Sequence, residues 1–402
     1  MGRQVILLSN TFPLKGEPFL QTELDLLPNS FKIDQWPFFS DGNRENAASL
    51  KPGIETHLLS SNYSIKEKLD AMLHSFGTFL STGEIVAAFK KPNGFHNVAK
   101  ALKYGMISEL RVRRIKHKLL TDEPLLFYSY WMYEVAYVAA KLKKWHSNSK
   151  FVTRCHGYDL YGERHANGYL PFRQFIMDQA DLICPISESG KSYLHDSFAG
   201  KYDEKISVMR LGTIRKAEIP EKQEKEESIV LVSCSNLVDV KRVHLIIDAL
   251  KKCQKQVIWY HFGDGELKAS LEKQAEVLPE NVRYMFMGYQ PNEDVQTFYA
   301  NHYIDAFVNV SQSEGVPVSI MEAESYGIPI IATDVGGTSE IVYNRENGVL
   351  LNVEFSDEEL LMAIDEVVEK AESYRAASLR TWQTMSDAHL VFPEFYKKLA
   401  EV

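Results

Sequence analysis

Short apolar segments alternate with helical patterns along almost the whole chain, and this alternation constrains the fold more than any other feature. The strand candidates are residues 5–9, 125–130, 151–155, 182–186, 229–233, 257–262, 306–310 and 328–333. In the second half, helical stretches lie between them at residues 245–252, 267–277, 294–300 and 320–326. Strands that alternate with helices are typical of parallel sheets covered by helices. We therefore expect an α/β fold.

A charged segment divides the alternation into two series. Residues 215–228 are rich in lysine and glutamate and offer no core residues, which is typical of a linker. A chain of 402 residues is long enough for two domains. We predict a first domain over residues 1–212, a linker over 213–228 and a second domain over 229–384. Ligands bind beyond the carboxyl ends of parallel strands, so we expect the site in a cleft between two facing domains.

Composition excludes several classes of protein. No run of about 18 uncharged apolar residues is present, so the sequence predicts no membrane span. The apolar stretch near the N-terminus is too short for a secretory signal and is more typical of a first buried strand. The four cysteines have no Cys-x-x-Cys spacing, which excludes a disulfide framework and a zinc site. We therefore expect a reducing, cytoplasmic location.

Charge is shared unevenly between the two halves. The net charge of the chain is −9, of which residues 1–212 contribute +5 and the remainder −14. A basic first half suits contact with a polyanion. An anionic membrane surface would qualify, whereas no nucleic-acid motif accompanies the charge, so we expect no nucleic-acid partner.

Two local patterns in the first half leave an alternative open. Apolar residues recur at helical spacing at Ile65, Leu69, Met72, Leu73, Phe76, Phe79 and Leu80. A basic cluster follows at Arg111, Arg113, Arg114, Lys116 and Lys118. One interpretation is a helix packed on the core beside a solvated basic face. The other is a patch on which a membrane-borne substrate docks.

Several familiar motifs are incomplete. The segment Gly190-Lys191-Ser192 lacks the first glycine of a phosphate-binding P-loop. Gly263 and Gly265 begin like a dinucleotide fingerprint, but the third glycine is absent, and we predict a strand-to-helix turn there. The chain has neither His-Glu-x-x-His nor Asp-x-Asp. We therefore expect no metal and no resident cofactor.

Residues 313–341 are the most informative stretch. Glu314 follows a predicted strand, and Gly315 and Pro317 give an open turn before a helix that begins near Val318. The free amides and positive dipole of a helix N-terminus suit a diphosphate. Glu322 lies about one turn into the helix, where its carboxylate could accept two hydrogen bonds from a ribose diol. A simpler interpretation is that both glutamates only complement the helix dipole.

The spacing and flanks of these residues resemble a known signature. Glu-x7-Glu, the Gly-x-Pro turn and the segment 327–337 resemble the donor-binding signature of the retaining glycosyltransferases of family 4, which have the GT-B fold. Residues 153–159 and 235–241 are similar to a His-Gly segment and a phosphate-binding segment of that family. Residues 11–23 resemble the opening loop of its bacterial exopolysaccharide branch, which includes colanic-acid-type enzymes. Residues 391–397, within 385–402, resemble a final helix that crosses back to the first domain.

The resemblance implies roles for individual residues. It implies that Glu322 holds the ribose, that Glu314 holds the donor sugar, and that Lys241 neutralises the leaving diphosphate. His156 would reach the sugar, and Gly16 would allow close approach of acceptor or diphosphate. The remaining donor-binding positions are Ser235, Asn236, Tyr289 and the amides of Gly315, Val316 and Val318.

The chain departs from the family pattern at three places. The family has arginine where Asn236 stands and glycine where Ser235 stands, and Arg242 is the nearby candidate to replace the missing charge. Residues 211–214 lack the aspartate that the family carries near its interdomain hinge. These changes concern phosphate affinity more than the fold.

The implied function is retaining, metal-independent transfer of a sugar from a nucleotide diphosphate sugar. UDP is favoured by its frequency in the family, and the acceptor would be a surface polysaccharide or a lipid-linked oligosaccharide. The expected location is cytoplasmic, with peripheral binding to the inner face of the plasma membrane as a further expectation. Two alternatives stay open, a sugar-nucleotide 2-epimerase and a non-catalytic subunit that binds nucleotide sugar and supports a partner transferase.

Overall fold

The computed structural model describes residues 3–12, 17–40, 53–59, 62–119, 121–220 and 223–402. They form two compact units, each with its own sheet and core. Unit 1 comprises Met1–Met209 and Phe392–Val402, and unit 2 comprises Arg210–Val391. In both sheets every pairing between the described strands is parallel.

The sheet of unit 1 has the strand order β3-β2-β1-β4-β5-β6. Its strands are β1 (Arg3–Phe12), β2 (Phe31–Ser40), β3 (Ile54–Thr56), β4 (Leu126–Ser129), β5 (Lys150–Cys155) and β6 (Leu182–Pro185). Its helices are α1 (Pro18–Asp25), α2 (Ile65–Ser81), α3 (Glu84–Phe89), α4 (Gly94–Lys118), α5 (Glu134–Trp145), α6 (Arg173–Gln179) and α7 (Glu188–Phe198). The order reverses between β1 and β4, which makes that point the switch point of the sheet.

The sheet of unit 2 has the order β12-β11-β10-β7-β8-β9, with its switch point between β7 and β10. Its strands are β7 (Ile229–Cys234), β8 (Val257–Phe262), β9 (Val282–Gly288), β10 (Ala306–Asn309), β11 (Ile330–Thr333) and β12 (Gly348–Leu351). The helices are α8 (Val243–Leu250), α9 (Lys268–Ala275), α10 (Asn292–Asn301), α11 (Val318–Ser325), α12 (Asp357–Glu369), α13 (Ala371–Thr381) and α14 (Ala388–Glu401).

The α/β fold with parallel sheets is confirmed, and all eight predicted strands exist. Four further strands were not predicted, namely β2, β3, β9 and β12. Three of these lie at sheet edges. Strands β3 and β12 are only three and four residues long, and in β9 Arg283 interrupts the apolar pattern. In β2, Lys32, Asp34 and Pro37 break the apolar pattern in the same way.

The helix α14 begins in unit 2, and its residues from Phe392 onward belong to unit 1. Tyr396 donates a hydrogen bond to the Glu23 carbonyl oxygen at 2.8 Å, and the Phe395 ring lies 4.2 Å from the Arg154 guanidinium carbon. Arg154 and Glu23 form a fully buried ion pair at 3.2 Å. The Tyr128 hydroxyl donates to the same carboxylate at 2.9 Å. This buried pair joins α1, β4 and β5 to the end of the chain.

The charged segment that was predicted as a linker belongs to unit 2, which begins at Arg210. The Thr213 amide donates to the Ser386 carbonyl oxygen at 2.8 Å, and the Trp382 indole donates to the Thr213 hydroxyl at 2.8 Å. Three residues further along, the Lys216 amide donates to the Gln296 side chain at 2.9 Å. Residues 210–217 are therefore part of unit 2, because backbone groups in a charged segment can be fixed by bonds that composition does not reveal.

The predicted helix near residue 65 exists, but its apolar residues do not form a core face. Ser64 caps α2 in a capping box with Glu67. Of the seven apolar residues at helical spacing, only Phe79 is buried. The first of the two interpretations, packing on the core, is therefore wrong for the other six. No helix among the described residues is long and apolar enough to cross a membrane.

Candidate functional site

Two charged side chains meet at the switch point of unit 2. Lys241 lies in the loop after β7, and Glu314 lies in the loop after β10. The Lys241 Nζ donates to Glu314 Oε1 at 2.5 Å, and the Asn309 amide donates to the same oxygen at 3.3 Å. Because neighbouring strands diverge here into opposite connections, the loops leave space for a ligand. The structure thus brings together two residues that are 73 positions apart in the sequence.

The helix α11 begins at Val318, as predicted from the sequence. In its first turn the Ile320 and Met321 amides donate to the carbonyl oxygen of the N-cap residue Pro317 at 3.1 and 3.3 Å. None of the described residues accepts a hydrogen bond from the amides of Gly315 or Val316. These donors and the positive end of the helix dipole form an anion-binding arrangement next to the Lys241–Glu314 pair.

The glycine pair after β11 fixes the loop that carries Glu314. Gly336 has φ +56°, and a Cβ at this position would lie 2.0 Å from the Glu314 carbonyl oxygen. The Gly337 amide donates to the Gly315 carbonyl oxygen at 2.6 Å. Only glycine allows this approach together with this backbone conformation.

Glu322 lies on α11 and is held by a chain of amide side chains on α10. The Asn292 amide donates to Glu322 Oε1 at 2.6 Å, and the Gln296 amide donates to Asn292 at 3.0 Å. The Tyr326 hydroxyl completes the chain by donating to Gln296 at 3.0 Å. Burial raises the pKa of Glu322 to about 7, although Asn292 and the charge of Lys216 oppose the rise.

The loop after β7 is pressed against the loop after β8. Gly263 has φ +135°, and a Cβ there would lie 1.9 Å from the Ser235 carbonyl oxygen. His261 is fully buried, bonds the Ser233 hydroxyl at 2.8 Å and lies 3.2 Å from the Ser235 carbonyl oxygen. Burial lowers the pKa of His261 to about 4, so the ring is neutral and fixes the loop. The predicted strand-to-helix turn at Gly263 is confirmed, and Asn236 is exposed in this loop.

The Arg242 side chain, the candidate to replace the charge missing at Asn236, contacts other residues of unit 2. Its Nε donates to the Val310 carbonyl oxygen at 2.9 Å, and its guanidinium carbon lies 5.8 Å from the Phe355 ring centroid. The guanidinium is therefore held by the end of β10 and by the loop before α12. Tyr289, by contrast, is exposed directly after the edge strand β9.

In unit 1 a second cluster lies at the carboxyl ends of β4 and β5. His156 follows β5, and its ring centroid lies 4.3 Å from that of Trp131, which follows β4. The Trp131 indole donates to Glu17 Oε1 at 2.5 Å. Asp159 accepts hydrogen bonds from the His156 and Met132 amides at 2.7 and 2.6 Å. Gly16, the neighbour of Glu17, lies outside the described residues.

The His156 ring is buried and its Nε2 has no hydrogen-bond partner among the described residues. Its Nδ1 faces Asp159 Oδ2 at 3.8 Å. Burial raises the pKa of Asp159, but hydrogen bonds from His156 and Met132 outweigh it, so the pKa is lowered and the carboxylate stays ionised. Buried polar atoms are rarely left without a partner. The His156 Nε2 is therefore an exception among the buried polar atoms of unit 1.

A cavity of about 400 Å³ lies in unit 1 beside the His156 segment. Three cations line it, Lys90, Lys91 and Arg173. Arg173 donates to the Asp159 carbonyl oxygen, which ties the cavity wall to the His156 loop. Glu84 also lines the cavity, but burial raises its pKa and the Tyr169 hydroxyl donates to it at 2.5 Å. The cavity wall therefore favours an anionic ligand.

The charged side chains of the basic cluster on α4 make ion pairs or ring contacts within unit 1. Arg111 is buried and pairs with Glu134 at 2.8 Å. Arg113 pairs with Asp70, and Arg114 pairs with Glu67 at 3.0 Å. Lys116 lies over the Trp145 ring at 5.2 Å, and Lys118 over the Trp36 ring at 5.5 Å. The five residues do not form one free basic patch, because three of their charges are neutralised by acidic side chains of α2 and α5.

One group of side chains among the described residues has a geometry that could hold a metal ion. It consists of Asp34, Glu55 and His57 on and next to β2 and β3. His57 already stacks on Trp36 at 4.4 Å, and Gln4 donates to Asp34 at 2.5 Å. None of the three is a candidate site residue.

Comparison with known families concerns mainly unit 2. Residues 215–381 match the family model of the glycosyl transferases group 1. Unit 2 therefore resembles a group 1 glycosyltransferase domain over residues 215–381. The matched region runs from the segment before β7 to the end of α13, so it includes Lys241, Glu314 and Glu322.

Relatives and solved structures extend this result. The chain is 28% identical over 245 residues to the O-antigen biosynthesis glycosyltransferase WbnH of Escherichia coli, covering 60% of this chain and 68% of WbnH. It is 26% identical over 210 residues to the putative colanic acid biosynthesis glycosyltransferase WcaL of Escherichia coli K12, covering 50% of this chain and 51% of WcaL. The structure of Anabaena HepE in complex with UDP matches with a TM-score of 0.69 at 16% identity, over 99% of this chain and 100% of HepE. The fold is GT-B.

Several residues of the two clusters were not predicted. In unit 2 they are Asn292, Gln296, Asn309 and His261, and in unit 1 they are Glu17, Trp131 and Asp159. Asn292 and Gln296 are four residues apart, a spacing that signals one polar helix face, but Asn292 precedes the predicted helix at residues 294–300. His261 and Asn309 lie within β8 and β10, and Glu17, Trp131 and Asp159 lie singly in loops, so no local pattern marks any of the five.

Proposed function

We propose that this protein is a retaining, metal-independent glycosyltransferase of family 4 that uses a UDP-sugar as donor. The observation that carries the proposal is the Lys241–Glu314 pair at the switch point of a domain that resembles the group 1 glycosyltransferases, beside the free amides that precede α11. The UDP complex of HepE and the names of WbnH and WcaL support a nucleotide-sugar donor and a saccharide acceptor.

The donor's diphosphate is proposed to bind at the N-terminus of α11. The amides of Gly315, Val316 and Val318 donate to its oxygens, and Lys241 neutralises the charge that develops on the leaving group. Glu322 accepts hydrogen bonds from the ribose hydroxyls, and Glu314 accepts them from the sugar. Ser235, Asn236 and Tyr289 belong to neighbouring loops at the same edge of the sheet.

The transfer step forms one bond and breaks one bond at the anomeric carbon. The bond to the diphosphate oxygen breaks, and the acceptor hydroxyl attacks from the same face as that oxygen leaves, so the configuration is retained. The leaving diphosphate accepts the proton of the hydroxyl. We propose that His156 hydrogen-bonds the transferred sugar through its free Nε2.

The acceptor is proposed to be a surface polysaccharide or a lipid-linked oligosaccharide. The cations Lys90, Lys91 and Arg173 around the cavity of unit 1 favour an acceptor that carries phosphate. A lipid-linked saccharide has such a group, whereas a neutral polysaccharide does not.

Measuring nucleotide release from a panel of UDP- and GDP-sugars, with and without membrane extract of the source cell, tests the proposal. We expect release of UDP that rises with extract, and retained anomeric configuration in the product by NMR. Conversion of the free nucleotide sugar without acceptor would instead indicate a 2-epimerase. Binding of a nucleotide sugar without any turnover would indicate a non-catalytic subunit. An unchanged rate in EDTA is expected for a metal-independent enzyme.

Donor binding is expected to weaken as the pH falls through about 7. The ionised Glu322 accepts hydrogen bonds from the ribose, and its pKa is raised to about 7, so protonation below that pH removes the acceptor. Affinity for a UDP-sugar should fall about tenfold per pH unit below this value. Calorimetry between pH 5.5 and 8.5 measures it, since the diphosphate diester itself does not titrate there. Glu322→Gln should bind weakly and show a flat profile; a wild-type profile that is also flat would contradict the role.

Replacing Gly336 by alanine is expected to lower UDP affinity about tenfold or more, because the new Cβ clashes with the Glu314 carbonyl oxygen and the residue keeps a positive φ. Gly77→Ala is the matched control, since nothing lies within 4 Å of its Cβ position on α2. The control should stabilise the chain slightly and leave UDP binding unchanged. Equal affinities for UDP in both variants, measured by calorimetry, would show that the glycine pair does not position the donor loop.

A further inference from the structure

The six exposed apolar residues of α2 form one continuous face, which we call the apolar face. It consists of Ile65, Leu69, Met72, Leu73, Phe76 and Leu80, whose side chains are between 49% and 78% exposed. At about 100° per residue these positions fall within one sector of the helix. Scattered single apolar residues are common on protein surfaces, but a face of six large side chains is not.

The opposite side of α2 is the one that packs on unit 1, and it is made of small or polar residues. Ala71, Ser75 and Thr78 are buried there together with Phe79. The Thr78 hydroxyl accepts a hydrogen bond from Lys141 at 2.8 Å. A helix that simply covered a core would bury its large apolar side chains. In α2 the arrangement is inverted, so the apolar face is held outward by its packing.

Helix α3 and the first turn of α4 also expose apolar side chains to solvent. In α3, Glu84 is buried and bonded to Tyr169, whereas Val86 and Phe89 are exposed. Phe95, in the first turn of α4, is 84% exposed and its ring lies 5.1 Å from that of Phe89. Exposed apolar residues therefore occur on three successive helices.

Free positive charge borders the apolar face. Lys66 and Lys68 fall on either side of it at the helical angle and are both exposed. Neither makes an ion pair with a described residue. The acidic residues of α2 are neutralised instead, Asp70 by Arg113 and Glu67 by Arg114. Residues 62–119 contain eleven Lys and Arg against four Asp and Glu, a net charge of +7 in a chain of −9.

We propose that the apolar face of α2 docks into the headgroup region of an anionic lipid bilayer, with Lys66 and Lys68 on lipid phosphates. An interfacial helix has this composition, apolar on one face with lysines at its borders. A second copy of the chain is disfavoured as the occupant, because it would bring the same positive surface against itself. The inference goes beyond the proposed transfer reaction and does not depend on it, since lipid binding needs no nucleotide sugar.

Vesicle binding by the full chain tests the proposal. We expect sedimentation with phosphatidylcholine vesicles that contain about 30% phosphatidylglycerol, weaker binding to pure phosphatidylcholine, and a decrease as salt is added. Leu69→Ser/Leu73→Ser/Phe76→Ser should lower the partition coefficient about tenfold or more. Lys66→Gln/Lys68→Gln should lower it about thirtyfold on anionic vesicles, about fivefold per lysine, and remove most of the salt dependence.

A matched control replaces exposed apolar residues of unit 2, Val277→Ser/Met362→Ser, which are 67% and 71% exposed. The control should bind vesicles as the wild type does, and circular dichroism and melting temperature should show that all variants fold. Equal vesicle binding by the control and the triple variant would overturn the proposal. The proposal would also be overturned if the wild type does not bind vesicles and sediments as a dimer, whereas the triple variant sediments as a monomer. The apolar face would then bind a second copy of the chain.

Discussion

Replacing Lys241 by alanine is expected to lower kcat for sugar transfer about a thousandfold while UDP still binds. Lys241 lies at the switch point of unit 2 with its Nζ 2.5 Å from Glu314, and its charge stabilises the leaving diphosphate most strongly in the transition state. Removal of one preorganised charge or donor costs about 10²–10³ in kcat, and here a full charge is lost. Steady-state UDP release measures kcat, and calorimetry measures UDP binding.

Two further variants separate charge from folding. Among the described residues, Lys241→Ala leaves the buried Glu314 carboxylate with the Asn309 amide alone, so Lys241→Ala/Glu314→Gln removes that unpaired charge. If Lys241 acts on the donor, the double variant should keep the low kcat of Lys241→Ala, although its melting temperature should return toward that of the wild type. Lys251→Ala is the control on α8, where the lysine pairs with Asp248 at 2.8 Å. Wild-type turnover in Lys241→Ala would contradict the proposed role.

Replacing Glu23 by glutamine is expected to lower the free energy of unfolding of unit 1 by about 3–5 kcal/mol, because it breaks the fully buried ion pair with the Arg154 guanidinium. Arg154→Met should cost less. The glutamate that remains can take up a proton, whereas a guanidinium cannot lose one. Urea unfolding followed by tryptophan fluorescence measures both variants, and Lys255→Met, which breaks an exposed pair with Asp365, serves as the control.

The same pair predicts a pH dependence with a definite sign. Burial already raises the pKa of Glu23 above its usual value although Arg154 and Tyr128 lower it, so loss of Arg154 raises it further. The folded state of Arg154→Met then binds more protons than the unfolded chain above pH 4.5. Its free energy of unfolding should therefore fall as the pH rises from about 5 toward 8. A profile parallel to that of the wild type would show that Glu23 keeps its charge without help from Arg154.

Membrane docking and donor binding concern different units. The donor residues Lys241, Glu314 and Glu322 lie in unit 2, whereas the apolar face lies on α2 of unit 1. Variants of the donor residues should therefore leave vesicle binding unchanged, and variants of the apolar face should leave donor binding unchanged. A chain with active donor binding and no vesicle binding would keep the proposed function and refute only the membrane inference.

Much of unit 2 was predictable because its signals are local. The start of α11 at Val318 follows from a glycine and a proline before a helical pattern, and the strands β7, β8 and β10 are short continuous apolar runs. The two glutamates of the Glu-x7-Glu signature lie where the resemblance requires, before and within α11. The edge strand β9 was missed, because Arg283 interrupts its apolar residues and only Val282 among them is buried.

The α/β alternation, the position of α11 and the helical stripe of α2 could be predicted, since each depends on residues close together in the chain. Long-range packing, by contrast, brings Lys241 to Glu314, pairs Arg111, Arg113 and Arg114 within unit 1, and turns the stripe outward. Periodicity shows that a helix has two faces, but the face that is buried depends on the elements packed against it. For α2 these elements are α4 and α5. Arg113 and Arg114 of α4 pair with Asp70 and Glu67 of α2, and Lys141 of α5 donates to Thr78, so the apolar side of α2 remains exposed.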